Sequence, residues 1–262
     1  MSAKDKPCRG RAEVATRLYV ETDLGPGAAV GLDPGRAHFL RSVLRLKRGA
    51  ALALFNGRDG EWLARIDALG KGWASLQVES QRRAQEGGPD LWLLFAPLKR
   101  ARLDYLIEKA VEFGVARLQP VLTRHTAVTR VNLERLAANA REAAEQCERL
   151  DLPEIAAPAA LFTALGDWPT GRRLLVCAEA GAARPIAEVL AEERGGAGDA
   201  ILTGPEGGFA RSELDGLRNL PFVSVVGLGP RILRADTAAL AALACWQALA
   251  GDGAARPALR ES

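Results

Sequence analysis

A chain of 262 residues, 48% hydrophobic and 26% charged, can bury a full core and has the length of two domains. Its longest apolar stretch, Thr237 to Gly251, is too short for a bilayer, and MSAKDKPCRGRAEVATRLYV holds no continuous apolar run, so a cytoplasmic protein without a membrane segment is expected. Cys8, Cys147, Cys177 and Cys245 include no CxxC pair and only His38 and His125 accompany them, so neither a disulfide framework nor a metal site is expected. The net charge of +3 is unevenly spread: residues 1–85 carry 15 Lys+Arg against 9 Asp+Glu, and residues 86–262 carry 20 against 23. A basic small module joined to a near-neutral larger one suits nucleic-acid docking alongside catalysis.

Residues 1–15 are polar, include Pro7 and Gly10, lack periodicity and read as a loose tail. Arg17 to Val20 predicts a strand. Pro34 to Leu46 predicts a helix, with Pro34 near its first turn and Ala37, Leu40, Val43 and Leu44 on one face. Arg41 and Arg45 lie one turn apart on another face, with Lys47 and Arg48 following. This cluster is either a solvated surface or a set of phosphate contacts. Leu52 to Phe55, the turn Asn56 to Gly60, and Glu61 to Ile66 predict a hairpin, and Trp73 to Val78 a further alternating strand. Together they suggest a small β-barrel. Gln81 to Pro89 is polar and ends in Gly-Gly-Pro, which puts a boundary between modules spanning 16–85 and 86–262.

From Leu91 strands alternate with helices, the rhythm of an α/β layered domain. Leu91 to Phe95 is an apolar strand. A helix follows Pro97–Arg100 with Leu103, Leu106, Ile107, Ala110 and Val111 as its buried stripe, and Gly114 ends it. Leu118 to Leu122 is the next strand, and Asn132 caps a helix whose outer face carries Arg141, Glu145 and Arg149. Arg173 to Cys177 reads as strand, Pro185 to Glu193 as helix and Glu192 to Gly198 as loop.

Two runs then share one design. Ile201-Leu202-Thr203 breaks into Gly204-Pro205-Glu206-Gly207-Gly208, with a helix start at Ser212 and Asp215 three residues on. Phe222 to Leu228 breaks into Gly229-Pro230 before Ile232-Leu233-Arg234 and a helix over Thr237 to Leu249. Two strands emptying into glycine loops on one edge of a sheet make a ligand crevice. GPEGGF lacks the Lys-Ser/Thr of a phosphate loop, and GLGPRI lacks the third glycine of a dinucleotide site. The last helix is alanine-rich with Trp246 as its one large ring, and it suits either the core or a dimer interface.

The chain resembles the RsmE-like 16S ribosomal RNA uridine-N3 methyltransferases of the SPOUT class nearly end to end. The resemblance is carried by RLYV (Arg17 to Val20), HFLRSVLRLKRG (His38 to Gly49), LFNG (Leu54 to Gly57), LKRARLDYLIEKAVEFGVARLQPV (Leu98 to Val121), EAAEQCERLDLPEI (Glu142 to Ile155), LTGPEGGF (Leu202 to Phe209) and LGPRILRADTA (Leu228 to Ala238). It implies a PUA-like RNA-binding barrel, a C-terminal α/β domain with a deep trefoil knot, a homodimer, and S-adenosylmethionine held bent in the knot loops. It also implies 16S ribosomal RNA, within the small subunit, as partner. Two departures stand out. The family's ILRTETA reads ILRADTA, with Ala235 and Asp236 altered and Arg234 and Thr237 kept, and EQSGR reads EQCER, keeping Glu145, Gln146 and Arg149.

For such a cofactor the loops offer an apolar slot plus backbone amides and carbonyls at Leu202, Gly204, Pro205, Gly207, Leu228, Gly229, Ile232 and Leu233, with Thr237 beside them. Uridine N3 carries a proton and is a poor nucleophile until that proton leaves, so the site must favour the uridine anion. Arg231 and Arg234 suit stabilisation of that anion or a phosphate contact, and Glu206 suits a base, a ligand-orienting group or a loop cap. Arg41, Arg45 and Arg48, with Arg141 and Arg149 from a partner subunit, are the expected RNA contacts. The alternatives are a non-catalytic RNA-binding protein of the same fold, a related SPOUT enzyme with a different RNA target, and a small-molecule α/β enzyme using a nucleotide cofactor.

Overall fold

The computed structural model describes residues 13–178, 183–192 and 198–255. Most of the tail expected over 1–15, and residues 193–197 of the expected loop, lie outside them. The described residues form two compact units, one up to Gly87 and one over Gly88–Ala255.

In the first unit the strands are β1 (Arg17–Tyr19), β2 (Ala29–Leu32), β3 (Ala51–Phe55), β4 (Glu61–Gly70) and β5 (Trp73–Arg83), with α1 (Pro34–His38) between β2 and β3. They form a five-stranded sheet ordered β1-β3-β4-β5-β2, antiparallel except where β1 pairs with β3. Alternation sends Ala64, Ile66, Leu76 and Val78 into a core with Leu18, Val30, Leu40 and Leu54. Register shifts between β4 and β5 bend the ladder, the local device by which a sheet curls.

The turn at Asn56 is tied by that side chain. Its Oδ1 accepts from the amides of Arg58 (3.0 Å) and Asp59 (2.9 Å), and its Nδ2 donates to Asp59 Oδ2 at 2.6 Å. Asp59 also accepts from the Leu24 amide at 2.8 Å, and these bonds, the Leu24 amide first, hold its carboxyl below the usual carboxylate range.

Two sequence expectations change here. The helix expected to Leu46 ends as an α-helix at His38 and continues as a wider π-turn over Phe39–Val43, after which Arg45 takes a left-handed φ of 55°. The extra residue per turn rotates the phase, so Leu40 stays fully buried while Val43, expected inside, is 59% exposed. The second change is that β5 runs on to Arg83, into the stretch read as polar linker. Glu61, paired with Arg83 in the ladder, is 4% exposed and receives Arg17 at 2.8 Å, so polar residues here pair across the sheet instead of ending it.

The second unit runs β6 (Leu91–Phe95), α2 (Arg100–Glu112), β7 (Arg117–Leu122), α3 (Leu133–Cys147), β8 (Glu154–Ile155), β9 (Ala159–Ala160), α4 (Leu161–Ala164), β10 (Arg173–Cys177), β11 (Arg184–Pro185), α5 (Ile186–Glu192), β12 (Asp199–Thr203), α6 (Arg211–Arg218), β13 (Val223–Gly227) and α7 (Ala235–Leu249). All pairings are parallel, in the order β11-β13-β10-β12-β6-β7-β8, with β9 also on β7. Both faces of the central strands are covered, which is why LWLLF, RLLVC and DAILT read as near-continuous apolar runs.

Asn132 caps α3 by accepting from the Arg135 amide at 3.0 Å, and α2 ends where Gly114 takes a φ of 76°. Helix α6 starts one residue earlier than Ser212, with Ala210 as N-cap. There the N3 residue Glu213 accepts from the Ala210 amide at 2.8 Å, the half of a capping box that needs no N-cap hydroxyl. Trp246 is 5% exposed and donates to Asp199 at 2.6 Å, which assigns that side of α7 to the core.

Helices α2 and α3 are braced by Asp104, which accepts from Arg135 Nε at 2.8 Å, from Arg135 Nη2, and from Asn139 at 2.8 Å. The Arg135 guanidinium holds the Asp104 carboxyl below its ordinary range. A carboxyl whose pKa falls on folding contributes stability that is complete above its unfolded pKa, about 4, and is lost as pH drops through the folded value. The wild-type melting temperature is therefore expected to fall more steeply below about pH 4 than that of Asp104→Asn. Parallel acid limbs in a melting series would remove Asp104 from the acid response.

Candidate active site

Three strands end side by side, in the order β13-β10-β12, and their C-terminal ends open into loops. The two strands that carry the glycine loops are not adjacent, because β10 lies between β12 and β13. It brings Cys177 and Ala178 to a cavity of about 380 Å³. One side of that cavity is made by Gly204, Pro205, Gly207, Gly208 and Phe209 after β12. The other is made by Leu228, Gly229, Pro230, Arg231, Ile232 and Leu233 after β13, with Ala235 and Ala238 of α7.

Three of these glycines are constrained by geometry, Gly208 among them at φ 67°. Gly229 sits at φ 102°, which an L side chain rarely adopts, and a Cβ on Gly204 would lie 2.9 Å from the Phe209 ring. The β12 loop is held from the chain segment after β7. His125 Nδ1 lies 3.1 Å from the carbonyl oxygen of Gly208 and 3.3 Å from that of Gly207, and Glu213, 8% exposed, accepts from the Arg124 amide at 2.8 Å. The loop is thus fixed by tertiary bonds that GPEGGF itself does not announce. Burial pushes the Cys177 thiol up to about 12, so it stands in the wall as a neutral, apolar group.

A second hollow of about 360 Å³ adjoins the first and shares Pro205, Ile232, Leu233 and Ala235 with it. Its polar groups are Arg102, Glu206 and Arg234, and Arg102 Nη1 donates to Glu206 Oε1 at 2.7 Å.

Of the residues expected to touch a cofactor, Gly204, Pro205, Gly207, Leu228, Gly229, Ile232 and Leu233 line the larger cavity. Leu202 is fully buried one step behind it, and Thr237 is exposed in the first turn of α7, away from the wall. Arg231 faces the cavity, whereas Glu206 and Arg234 face the hollow. Sequence reasoning did not reach Cys177, Phe209, His125 or Arg102. Phe209 alone had a local signal, since it closes the glycine loop.

The expected RNA contacts divide. Arg41, Arg45 and Arg48 are all exposed on the first unit, with Arg48 paired to Asp67 at 3.1 Å in a solvent-exposed contact. Arg141 lies half-buried on α3. Arg149 is not on the helix face that its spacing suggested. Glu148 turns left-handed at φ 65° and ends α3, so Arg149 swings under α2 and donates to the carbonyls of Val111 (3.0 Å) and Val115 (2.9 Å) and to Asp151 (3.0 Å). With those bonds made it fastens the α2 terminus instead of presenting a free guanidinium to phosphate.

The cavity joins uncharged walls, backbone groups of two glycine loops and a cationic rim, a combination suited to an adenosine-sized ligand. Comparison with known proteins agrees with that chemistry. The profile of the RNA methyltransferase domain family matches residues 86–247, and that of the RNA methyltransferase PUA domain matches residues 32–79. The chain is 32% identical over 229 residues to the ribosomal RNA small subunit methyltransferase E of Rickettsia conorii, covering 87% of this chain and 93% of the relative. The protein of the same name from Synechocystis is 33% identical over 240 residues, covering 90% and 78%. A crystal structure of the Neisseria gonorrhoeae ribosomal RNA small subunit methyltransferase E bound to S-adenosylmethionine superposes with a TM-score of 0.82 at 27% identity, covering 90% of this chain and 98% of that one.

Proposed function

The chain belongs to the RsmE-like family of ribosomal RNA small subunit methyltransferases, and from that premise we propose that it methylates N3 of one uridine in 16S ribosomal RNA with S-adenosylmethionine as donor. The observation that carries the reading is the pair of adjoining spaces: a glycine-walled cavity the size of a nucleoside cofactor, opening beside a hollow edged by a carboxylate and two arginines.

The residues present fit the cofactor. Gly229 at φ 102° frees backbone groups at the wall, and the neutral Cys177 thiol adds no charge there. Gly204, Pro205, Gly207, Leu228, Gly229, Ile232 and Leu233 would hold it, with Leu202 buried behind the β12 loop. When bound, S-adenosylmethionine supplies a methyl group made electrophilic by its sulfonium. The protein's share is to position the base, take up the N3 proton and stabilise the negative charge that spreads onto the uracil oxygens. Arg234 and Arg231 take the charge and Glu206 the proton, a reading supported by their positions on the walls of the two adjoining spaces.

The PUA-like module over 16–85 docks RNA through Arg41, Arg45 and Arg48, and the module over 86–262 carries the reaction, with Arg141 as a further RNA contact. The trefoil knot belongs to the same proposal, supported by a sheet in which β12 lies between β6 and β10 while β13 lies beyond β10. A homodimer through α7 is supported by a helix that is mostly apolar beyond its first turn, with Ala239, Ala242, Leu243 and Trp246 buried and Ala244, Ala248 and Leu249 exposed. No described helix is long and apolar enough to cross a membrane, in keeping with work on ribosomal RNA in the cytoplasm.

The test combines calorimetric titration with S-adenosylmethionine and transfer of labelled methyl to small-subunit particles lacking the modification, followed by mapping. Binding and a single labelled uridine are expected. Binding without transfer would favour the non-catalytic RNA-binding protein.

A further inference from the structure

Arg102 has no assigned role, yet it reaches from the first turn of α2 to a residue 104 positions away in the cofactor loop. The pair is open to solvent, with side-chain exposures of 34% and 44%, so its contribution to stability is small. What distinguishes it is its location. Both groups face a hollow that shares four wall residues with the cofactor cavity, and Arg234 completes the polar set.

Hydrogen-bonding capacity sets what this trio accepts. Glu206 uses Oε1 on Arg102, and among the described residues Oε2 has no partner. Arg102 spends one of the five N–H donors of a guanidinium on that bond, and the Arg234 side chain has no partner among the described residues. The open valences of the trio are therefore two sets of donors, on Arg102 and Arg234, and one acceptor, on Glu206. The pairing edge of uracil is the complement: O4 accepts, N3–H donates and O2 accepts. Cytosine presents an amino donor, an unprotonated N3 and O2, which sets its N3 lone pair against a carboxylate. Ile232, 83% exposed and shared by both spaces, supplies an apolar platform for the face of an unstacked base.

We infer that the hollow is the base-receiving subsite and that Arg102, with Glu206 and Arg234, is a specificity-determining residue that reads uracil by its donor and acceptor pattern. The inference rests on the methyltransferase reading above. The proton balance is closed within the site in two steps: the N3 proton passes first to Glu206 Oε2, and once the carboxyl has turned off the N3 axis the in-plane electron pair so released forms the new bond to the methyl carbon. The carbon–sulfur bond breaks with its electrons going to sulfur, giving neutral S-adenosylhomocysteine, and Glu206 returns its proton to water.

The experiment uses full-length enzyme loaded with S-adenosylhomocysteine and small-subunit particles bearing either uridine or cytidine at the mapped position. Affinity is the readout, so discrimination is measured without turnover. The wild type is expected to prefer uridine by about ten- to a hundredfold, the range of one to two well-placed polar contacts to a base edge. Arg102→Lys keeps a charge opposite Glu206 but loses the planar fork, and Glu206→Gln adds a donor to the trio. Each is expected to narrow the preference to within about threefold while S-adenosylmethionine affinity is unchanged, which also reports an intact fold. Unchanged discrimination in both variants, with a wild type that methylates uridine, would overturn the inference and leave the methyltransferase reading standing. A wild type that neither binds the cofactor nor transfers methyl would remove both.

Discussion

Replacing Asp199 with alanine is expected to lower the unfolding free energy by about 3–5 kcal/mol, because it removes the carboxylate of a buried, doubly hydrogen-bonded ion pair. Asp199 is 3% exposed, and both of its oxygens are occupied: Arg173 Nε and Nη2 donate at 3.0 Å each, and Trp246 Nε1 donates at 2.6 Å. Arg173 is itself 8% exposed, so without the carboxylate its guanidinium keeps a bond to the Val189 carbonyl at 3.3 Å and no counter-charge from Asp199. The indole N–H loses its acceptor in the same step.

The triad ties β10, β12 and α7 together at the end of the sheet opposite the loops. Part of the loss should therefore reach the cofactor site through the strands that carry Cys177 and Gly204. Asp199→Asn, which keeps an oxygen for Trp246 but not the charge, should fall between wild type and alanine. Urea denaturation monitored by circular dichroism measures all three, and an alanine variant within about 1 kcal/mol of wild type would show that the buried pair is replaceable by water or relaxation.

How far the sequence exposes this architecture depends on the range of the interaction. Strands buried on both faces write themselves as apolar runs, so β6, β10 and β12 are legible from LWLLF, RLLVC and DAILT. The α2 stripe from Leu103 to Val111 is likewise local, and so is the Asn132 cap. The order of the strands is not local. Nothing in Leu174 or Val176 states that β10 lies between β12 and β13, and so Cys177 was missed as part of the cavity. Phase errors follow from the same limit. The π-turn at Phe39–Val43 exposes Val43, and the left-handed Glu148 removes Arg149 from the α3 face, although both sequences keep regular helical spacing. At α6 the better N-cap by residue type, Ser212, yields to Ala210 because Glu213 satisfies two amides, one of them from Arg124 far along the chain. The glycine loops were legible because backbone freedom is a property of the residue itself. The bonds that fix them, from His125 and from Arg102, join residues more than eighty positions apart and leave no local trace.

Arg234→Ala is expected to slow methyl transfer about 10²–10³-fold, the usual cost of removing one donor aimed at developing negative charge. Its affinity for S-adenosylmethionine should stay within about threefold, since Arg234 borders the hollow and not the cofactor cavity. Arg234 is the N-cap of α7 with an extended backbone at φ −64° and ψ 154°, and it makes no side-chain cap bond. Its side chain is thereby left to the hollow, and the amide end of a 15-residue helix adds positive potential at the same place. Arg231 makes the contrast, because it faces the larger cavity; Arg231→Ala should raise the cofactor dissociation constant as well as reduce turnover. Lysine at 234 should recover part of the rate, keeping the charge but not the forked donors. Single-turnover transfer to unmodified small-subunit particles separates these cases. An Arg234→Ala enzyme with normal turnover would leave that side chain without a part in the reaction and assign charge stabilisation to Arg102 or Arg231.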